Sequence, residues 1–193
     1  MKPLTRKDIL GREAYAQARP DLRRHVMVDK SHRRVQVGSH CTIHFESRDT
    51  MWYQVHEMLH AESSWDRPGA VDEELTAYNP LIPGAGELSA TLMLEYEMPE
   101  ERATALRALV GLDRHVTLRI GDTEPLLASF DRGQIDEDKV SAVQYLKWQL
   151  DERQRDLLKT EGTVVRLSID HPFYRAQAVV GEDARRAIMN DLD

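Results

Sequence analysis

Two stretches in the second half of the chain share one pattern, and that repetition restricts the fold more than any other feature. Residues 89–122, SATLMLEYEMPEERATALRALVGLDRHVTLRIGD, read as strand, helix beginning near Pro99, then strand. Residues 141–171, SAVQYLKWQLDERQRDLLKTEGTVVRLSIDH, read the same way, with Asp151 at the helix start. In each, apolar alternation of period two gives way to helical spacing and then returns. Between them, EPLLASFDRGQIDEDK (124–139) predicts a further short strand and a charged turn. The closing YRAQAVVGEDARRAIMNDLD (174–193) predicts a short strand and a terminal helix. Strand–helix–strand twice over predicts an α+β protein, its helices lying on a mainly antiparallel sheet of ferredoxin-like β-α-β-β-α-β order.

The first half carries different punctuation. Thr5, with Asp8 three residues on, opens a short helix. Pro20-Asp21 interrupts the chain, and 21–32 reads as a second helix. RRVQVGSHCTIHFES (33–47) alternates around Gly38-Ser39 and predicts a β-hairpin. Asp49 or Thr50 is expected to cap a helix over 50–63, and VDEELTAY (71–78) predicts a short helix stopped by Asn79-Pro80. A helical and hairpin segment, 1–86, is thus expected to pack on an α+β sheet region, 87–193. At 193 residues the two suit one compact domain.

Composition narrows the setting. No apolar run reaches the ~18 residues needed to span a bilayer, and MKPLTRKDILGREAYAQARP lacks the apolar centre of an export signal. A single cysteine, Cys41, excludes an internal disulfide and fits a reducing, cytoplasmic location. It alternates inward in the hairpin and reads as an inert core thiol. The net charge of −7 is unevenly spread, because residues 1–34 hold ten Lys/Arg against four Asp/Glu. A basic stretch, DLRRHVMVDKSHRR (21–34), can contact nucleic-acid phosphates or pack on the acidic remainder of the chain.

One stretch, YQVHEMLHAE (53–62), matches the H-E-x-x-H pattern of zinc hydrolases. On a helix, His56 and His60 lie on one side, and Glu57 supplies a general base toward metal-bound water. A catalytic zinc needs a third ligand, for which Asp66, Glu73 and Glu74 are the candidates. The glycine of the extended metzincin pattern is replaced by Ser63. Helical geometry weakens the metal reading further. Met51, Trp52, Val55, Met58 and Leu59 define the core direction; His56 lies about 100° from it and His60 about 140°. Both rings are therefore expected at the boundary or surface, beside Tyr53. An E-x-x-H di-iron reading of Glu57 and His60 lacks its second copy.

Six segments taken in order resemble a bacterial family catalogued as domain of unknown function 3501. They are PLTRKDIL (3–10), RRVQVGSH (33–40), FESRDTMWYQVHEMLHAE (45–62), AYNPLIPGAGELSATLMLEY (77–96), SAVQYLKW (141–148) and IDHPFY (169–174). The resemblance implies companionship with rubrerythrin-type and iron–sulfur redox proteins and no defined activity. The family pattern more often has Gln and Arg where this chain has His56 and His60, while Glu57 fits it.

These segments nominate Arg34, His40, Glu46, Arg48, Tyr78 and Asn79, with Glu57, for a polar pocket. Arg34 and Arg48 would serve as planar donors to an anion and Glu57 as acid or base. The bland alternative is local pairing: Glu46 with Arg48, Asn79 in the turn before Pro80, Tyr78 on the core. Glu62 reads as an Arg partner or a frayed helix end and His171 as a turn residue, while His25, His32, His44 and His115 lack partner spacing. The leading expectation is an accessory or binding protein beside a redox partner, without independent catalysis and with homo-oligomerisation open. A zinc hydrolase and a nucleic-acid contact are the rivals.

Overall fold

The computed structural model describes residues 1–134 and 138–192. The charged turn expected within 124–139 therefore lies partly outside the described residues. In chain order the elements are α1 (Arg12–His32), β1 (Arg34–Gln36), β2 (Cys41–Phe45), α2 (Arg48–Ala61), α3 (Ala70–Tyr78) and β3 (Glu87–Leu94). They continue with α4 (Pro99–Ala108), β4 (Val116–Ile120), β5 (Leu126–Leu127), β6 (Ser129–Phe130) and β7 (Val143–Gln149). The last are α5 (Glu152–Lys159), β8 (Val165–His171), β9 (Tyr174–Val179) and α6 (Glu182–Asn190).

The α+β class holds, but the single ferredoxin-like sheet does not form. The strands divide into two antiparallel sheets, one ordered β1-β2-β3-β7-β6 and the other β5-β4-β8-β9. Each strand–helix–strand unit places its first strand in one sheet and its second in the other. β3 pairs with β7, and β4 with β8. The repeat extends outward, with β2 and β6 flanking one central pair and β5 and β9 the other. In both sheets the equivalent strands of the two units pair antiparallel at the centre. Inward residues of both sheets, among them Ile43, Leu92, Leu146, Trp148, Leu118 and Leu167, merge in one apolar cluster. The strands alternate because each sheet buries one face in that cluster; the opposite face of the first sheet lies partly under the helices, while that of the second is more open.

A second, smaller cluster lies among the helices, where Met51, Val55 and Leu59 of α2 meet Leu4, Ala70, Leu75, Leu81 and Ile82. Ser47 caps α2, accepting from the Thr50 amide at 3.2 Å, rather than the expected Asp49 or Thr50. The expected break at Pro20 is absent, and α1 runs unbroken through it. Pro20 cannot donate to the carbonyl one turn back, which costs a helix about 3 kcal/mol. Tertiary anchors hold the helix through that point. At its far end the buried Arg33 pairs with the half-buried Asp29 and with buried Asp191, donating to the latter at 2.5 Å, which ties α1 to the end of α6.

Tyr174 on β9 reaches across to the β1–β2 turn. Its hydroxyl donates to the Val37 carbonyl at 2.7 Å and accepts from the His40 amide at 3.1 Å. Gly38 faces that ring with φ of +75°, and a Cβ there would lie 2.6 Å from the Tyr174 oxygen and 2.8 Å from the Ala176 Cβ. Gly38→Ala meets both a disfavoured backbone and an overlap. It is expected to destabilise the chain by about 2 kcal/mol or more in urea unfolding. A change below about 0.5 kcal/mol would show that the turn relaxes away from β9.

Candidate functional site

Helix α2 presents Arg48, Trp52, His56 and His60 at four-residue steps, which align along one side of a helix. Residues 1–11 run across that row and are held by its side chains. Arg48 donates to the Lys2 carbonyl at 3.2 Å and to Asp8 at 2.7 Å. The Trp52 indole donates to the Asp8 carbonyl at 2.7 Å, and the Leu10 amide donates to His56 Nε2 at 2.9 Å. Trp65 adds a donor to the Leu10 carbonyl at 3.1 Å. Asn79 pairs with both backbone groups of Leu4, at 2.7 and 3.0 Å, as a neighbouring strand would. The expected pair of Thr5 and Asp8 forms here, with the Thr5 amide donating to the Asp8 carboxylate at 2.7 Å.

His56 is consequently not at the boundary but fully buried, at 0 % exposure. Helical geometry alone places it off the core; the N-terminal strap and α1 supply a second cover. Since Nε2 accepts from Leu10, Nδ1 carries the proton and donates to the Trp52 carbonyl at 2.7 Å. The ring stacks on Tyr15, centroids 4.8 Å apart, and lies 4.1 Å from the Trp52 ring. Burial pushes its pKa below the usual imidazole range. His60 is exposed, as expected, and meets Tyr15 and Trp65 edge-on.

Glu57 is also committed. Both its oxygens accept from Arg19, at 2.7 and 2.9 Å, and one accepts from the Tyr15 hydroxyl at 2.6 Å. Arg19 above all, with Tyr15, holds its pKa down at about 2 despite partial burial. A carboxylate held so firmly ionised is a poor proton acceptor near neutrality. The three H-E-x-x-H side chains do not fit a zinc centre, because His56 offers no free lone pair and Glu57 is locked to α1. Of the proposed third ligands, Asp66 pairs with Arg12 at 3.0 Å and Glu73 with Arg67 at 2.7 Å. Glu74 is buried beside them, and among the described residues no three potential ligands gather.

The six nominated pocket residues separate into three places. Arg48 and Asn79 hold the strap. Arg34 and His40 sit at the hairpin edge, where Arg34 lies 3.3 Å from Glu95 and His40 stacks on Tyr96 at 4.3 Å. Glu46 and Tyr78 line a cleft of about 290 Å³ between the outer face of the β2–β3–β7 sheet and the helical layer. The expected Glu46–Arg48 pair does not form, since each side chain has other partners.

The cleft floor follows from register. His44, Thr91 and Tyr145 stand side by side across β2, β3 and β7, and Met93 and Val143 form the next row. Met51 and Gln54 of α2, Tyr78 and Leu81 supply the wall, and Lys30 of α1 completes the lining. Glu46 is 8 % exposed, and its two oxygens accept from Thr50 and Thr91, each at 2.6 Å. Among the described residues no cation pairs with it. Burial holds the His44 imidazole below its usual range. Sequence reasoning missed Lys30, His44, Gln54, Thr91 and Tyr145. The signal for His44 was present in the hairpin alternation, which sets it opposite Ile43 and Phe45 and toward Glu46.

Other expectations divide similarly. Cys41 is buried, and burial pushes its thiol up to about 12. His171 ends β8 at the tight turn into β9, paired with Tyr174, in keeping with the expected turn position; it is 4 % exposed, lies 3.1 Å from the Val110 carbonyl and packs against His115. In the basic stretch, Arg33 turns inward, Arg24 pairs with Asp21, and Arg23 comes within 4.0 Å of Glu57. Among the described residues no helix is long and apolar enough to cross a membrane.

The architecture and the cleft define an α+β protein with two antiparallel sheets and a strapped helical layer beside a carboxylate-bearing groove. The chain belongs to the family described as protein of unknown function DUF3501, whose model matches residues 3–192. It is similar, at 38% identity over 100% of both chains and a TM-score of 0.92, to a crystal structure described as a novel protein of unknown function from Burkholderia pseudomallei K96243. No curated protein matches it.

The strap has a pH signature. His56 has a folded pKa below its ordinary 6.5, so its contribution is complete above that value and is lost as pH falls through it. Glu57 moves from 4.5 to about 2, so its contribution persists above 4.5 and is lost only as pH falls toward 2. Urea unfolding from pH 8 to 5 should therefore show falling stability. His56→Gln, which keeps an acceptor for Leu10 but does not titrate, should reduce that slope and leave the share that His44 contributes. An unchanged slope would show that the ring does not carry the dependence.

Proposed function

We propose that this protein is a small-molecule-binding accessory protein, with the Glu46 cleft as its binding site. The observation that carries the reading is a nearly buried carboxylate in a groove of mixed lining, apolar and aromatic with Lys30, His44, Gln54 and Thr91 among it, that pairs with no cation among the described residues. Buried carboxylates are stabilised when a cation or several donors reach them. The Thr50 and Thr91 hydroxyls occupy one acceptor position on each oxygen, which leaves the others for a ligand. Met51, Leu81, Met93, Val143 and the rings of Tyr78 and Tyr145 suit a compact apolar body. The chemistry favoured is a primary amine joined to a ring or short chain. Lys30 disfavours a second positive group on the same ligand.

Catalysis is not part of the proposal, since the acid–base candidate Glu57 is engaged in joining α2 to α1 through Arg19 and Tyr15. The companionship with rubrerythrin-type or iron–sulfur proteins implied by family resemblance would place this binding step beside redox chemistry performed by another protein.

Titration calorimetry with phenethylamine, and with phenethyl alcohol and phenylacetate as matched controls, tests the reading. The amine should bind saturably, the alcohol at least tenfold more weakly, and the carboxylate not at all. Glu46→Gln should weaken amine binding by about ten- to a hundredfold, as loss of a charge-assisted hydrogen bond implies. Equal binding of the three probes, or affinity unaltered by the substitution, would contradict it.

A further inference from the structure

The outer face of the second sheet carries an arrangement that its own stability does not require. Arg119 on β4 and Arg166 on β8 are paired directly across the strands. Like charges in that position repel, and sheets ordinarily set an opposite charge or a neutral group there. No carboxylate answers either one among the described residues. Arg119 is instead fixed by donating its Nε to the Thr123 carbonyl at 2.8 Å. Among the described residues its terminal nitrogens have no protein acceptor.

The adjoining row of the same face continues the theme. Thr117 and Ser168 are paired across β4 and β8, and Gln177 on β9 is paired with Ser168. The three side chains present two hydroxyls and an amide beside the guanidinium pair, in a depression of about 400 Å³ whose rim includes Arg114. The one acidic side chain in that lining, Asp170, is paired with Arg175 at 3.1 Å. The depression is thus a local excess of positive charge and hydrogen-bond donors on a chain of net charge −7.

We propose that this face is an oxyanion site, in which Arg119 and Arg166 clasp the phosphate group of a small phosphorylated ligand. Paired guanidiniums match tetrahedral oxyanions through their planar forks, and a bound dianion converts the repulsion between them into attraction to a shared partner. Thr117 and Ser168 add neutral donors beside the phosphate, and the depression has room for a sugar-sized body. The site lies on the sheet opposite the Glu46 cleft and does not depend on it.

Titration calorimetry at low ionic strength with inorganic phosphate, ribose 5-phosphate and ribose separates the contributions. Saturable binding of both phosphate probes, none of ribose, and at least a tenfold loss in Arg119→Gln/Arg166→Gln would support the proposal. The double variant should melt within a few degrees of the parent, because the repulsion it removes offsets the lost Arg119–Thr123 bond, so weak binding cannot be ascribed to unfolding. Absence of saturable phosphate binding, retention of it in the variant, or a variant that melts well below the parent would overturn the proposal. A duplex oligonucleotide that binds more tightly than ribose 5-phosphate through the same arginines would also overturn it, by assigning the face to nucleic acid.

Discussion

The neutral ring of His56, gripped between the Leu10 amide and the Trp52 carbonyl, is the contact on which the helical layer depends. It couples the N-terminal strap to α2 at the centre of a row begun by Arg48 and Trp52. One residue further on, Glu57 joins α2 to α1 through Arg19 and Tyr15. Together they cover the apolar cluster of Leu4, Val55 and Leu59 and fix the position of α2, whose Met51 and Gln54 form one wall of the cleft. A buried imidazole with both nitrogens engaged is a satisfied polar group inside an aromatic cage, and its charged form is penalised there.

The same arrangement explains why a metal-binding pattern arises without metal-binding geometry. Four-residue spacing sets side chains in line along a helix, and a docked strand of backbone can use that line as readily as an ion. Both tasks favour histidine, which accepts through one nitrogen while donating through the other. What separates them is the partner facing the ring, and that partner comes from a segment 46 residues away in the chain.

Much of the architecture was legible. Alternation located the hairpin and the principal strands; Pro99 and Asp151 marked the helices that follow β3 and β7. The repeated unit was also visible, but its consequence was not. Alternation says which face of a strand is buried without saying which sheet the strand joins, so two sheets exchanging strands look like one. Pro20 misled because a local rule, helix breaking, yields to anchors at Tyr15, Arg19 and Arg33 that only tertiary structure supplies. At the candidate site, Glu46 and Tyr78 were legible as polar residues beside apolar runs. Arg48 and Asn79 proved to be strap holders, because their backbone partners lie at residues 2–4. Lys30, Thr91 and Tyr145 reach the cleft from three separate elements whose proximity no local pattern encodes.

The molecule thus offers two unlike surfaces, a carboxylate-bearing groove under the helices and an arginine-bearing face on the far sheet. The groove depends on the strap that positions α2, the arginine face on the pairing of β4 with β8, and neither lining includes His56 or His60. The most direct measurement is ring-nitrogen NMR of His56 at pH 7.5, before and after one equivalent of Zn²⁺. A neutral ring protonated at Nδ1, with nitrogen shifts unmoved by zinc, is the predicted result. A zinc-induced shift at Nε2 together with loss of the Leu10 amide bond would contradict the account.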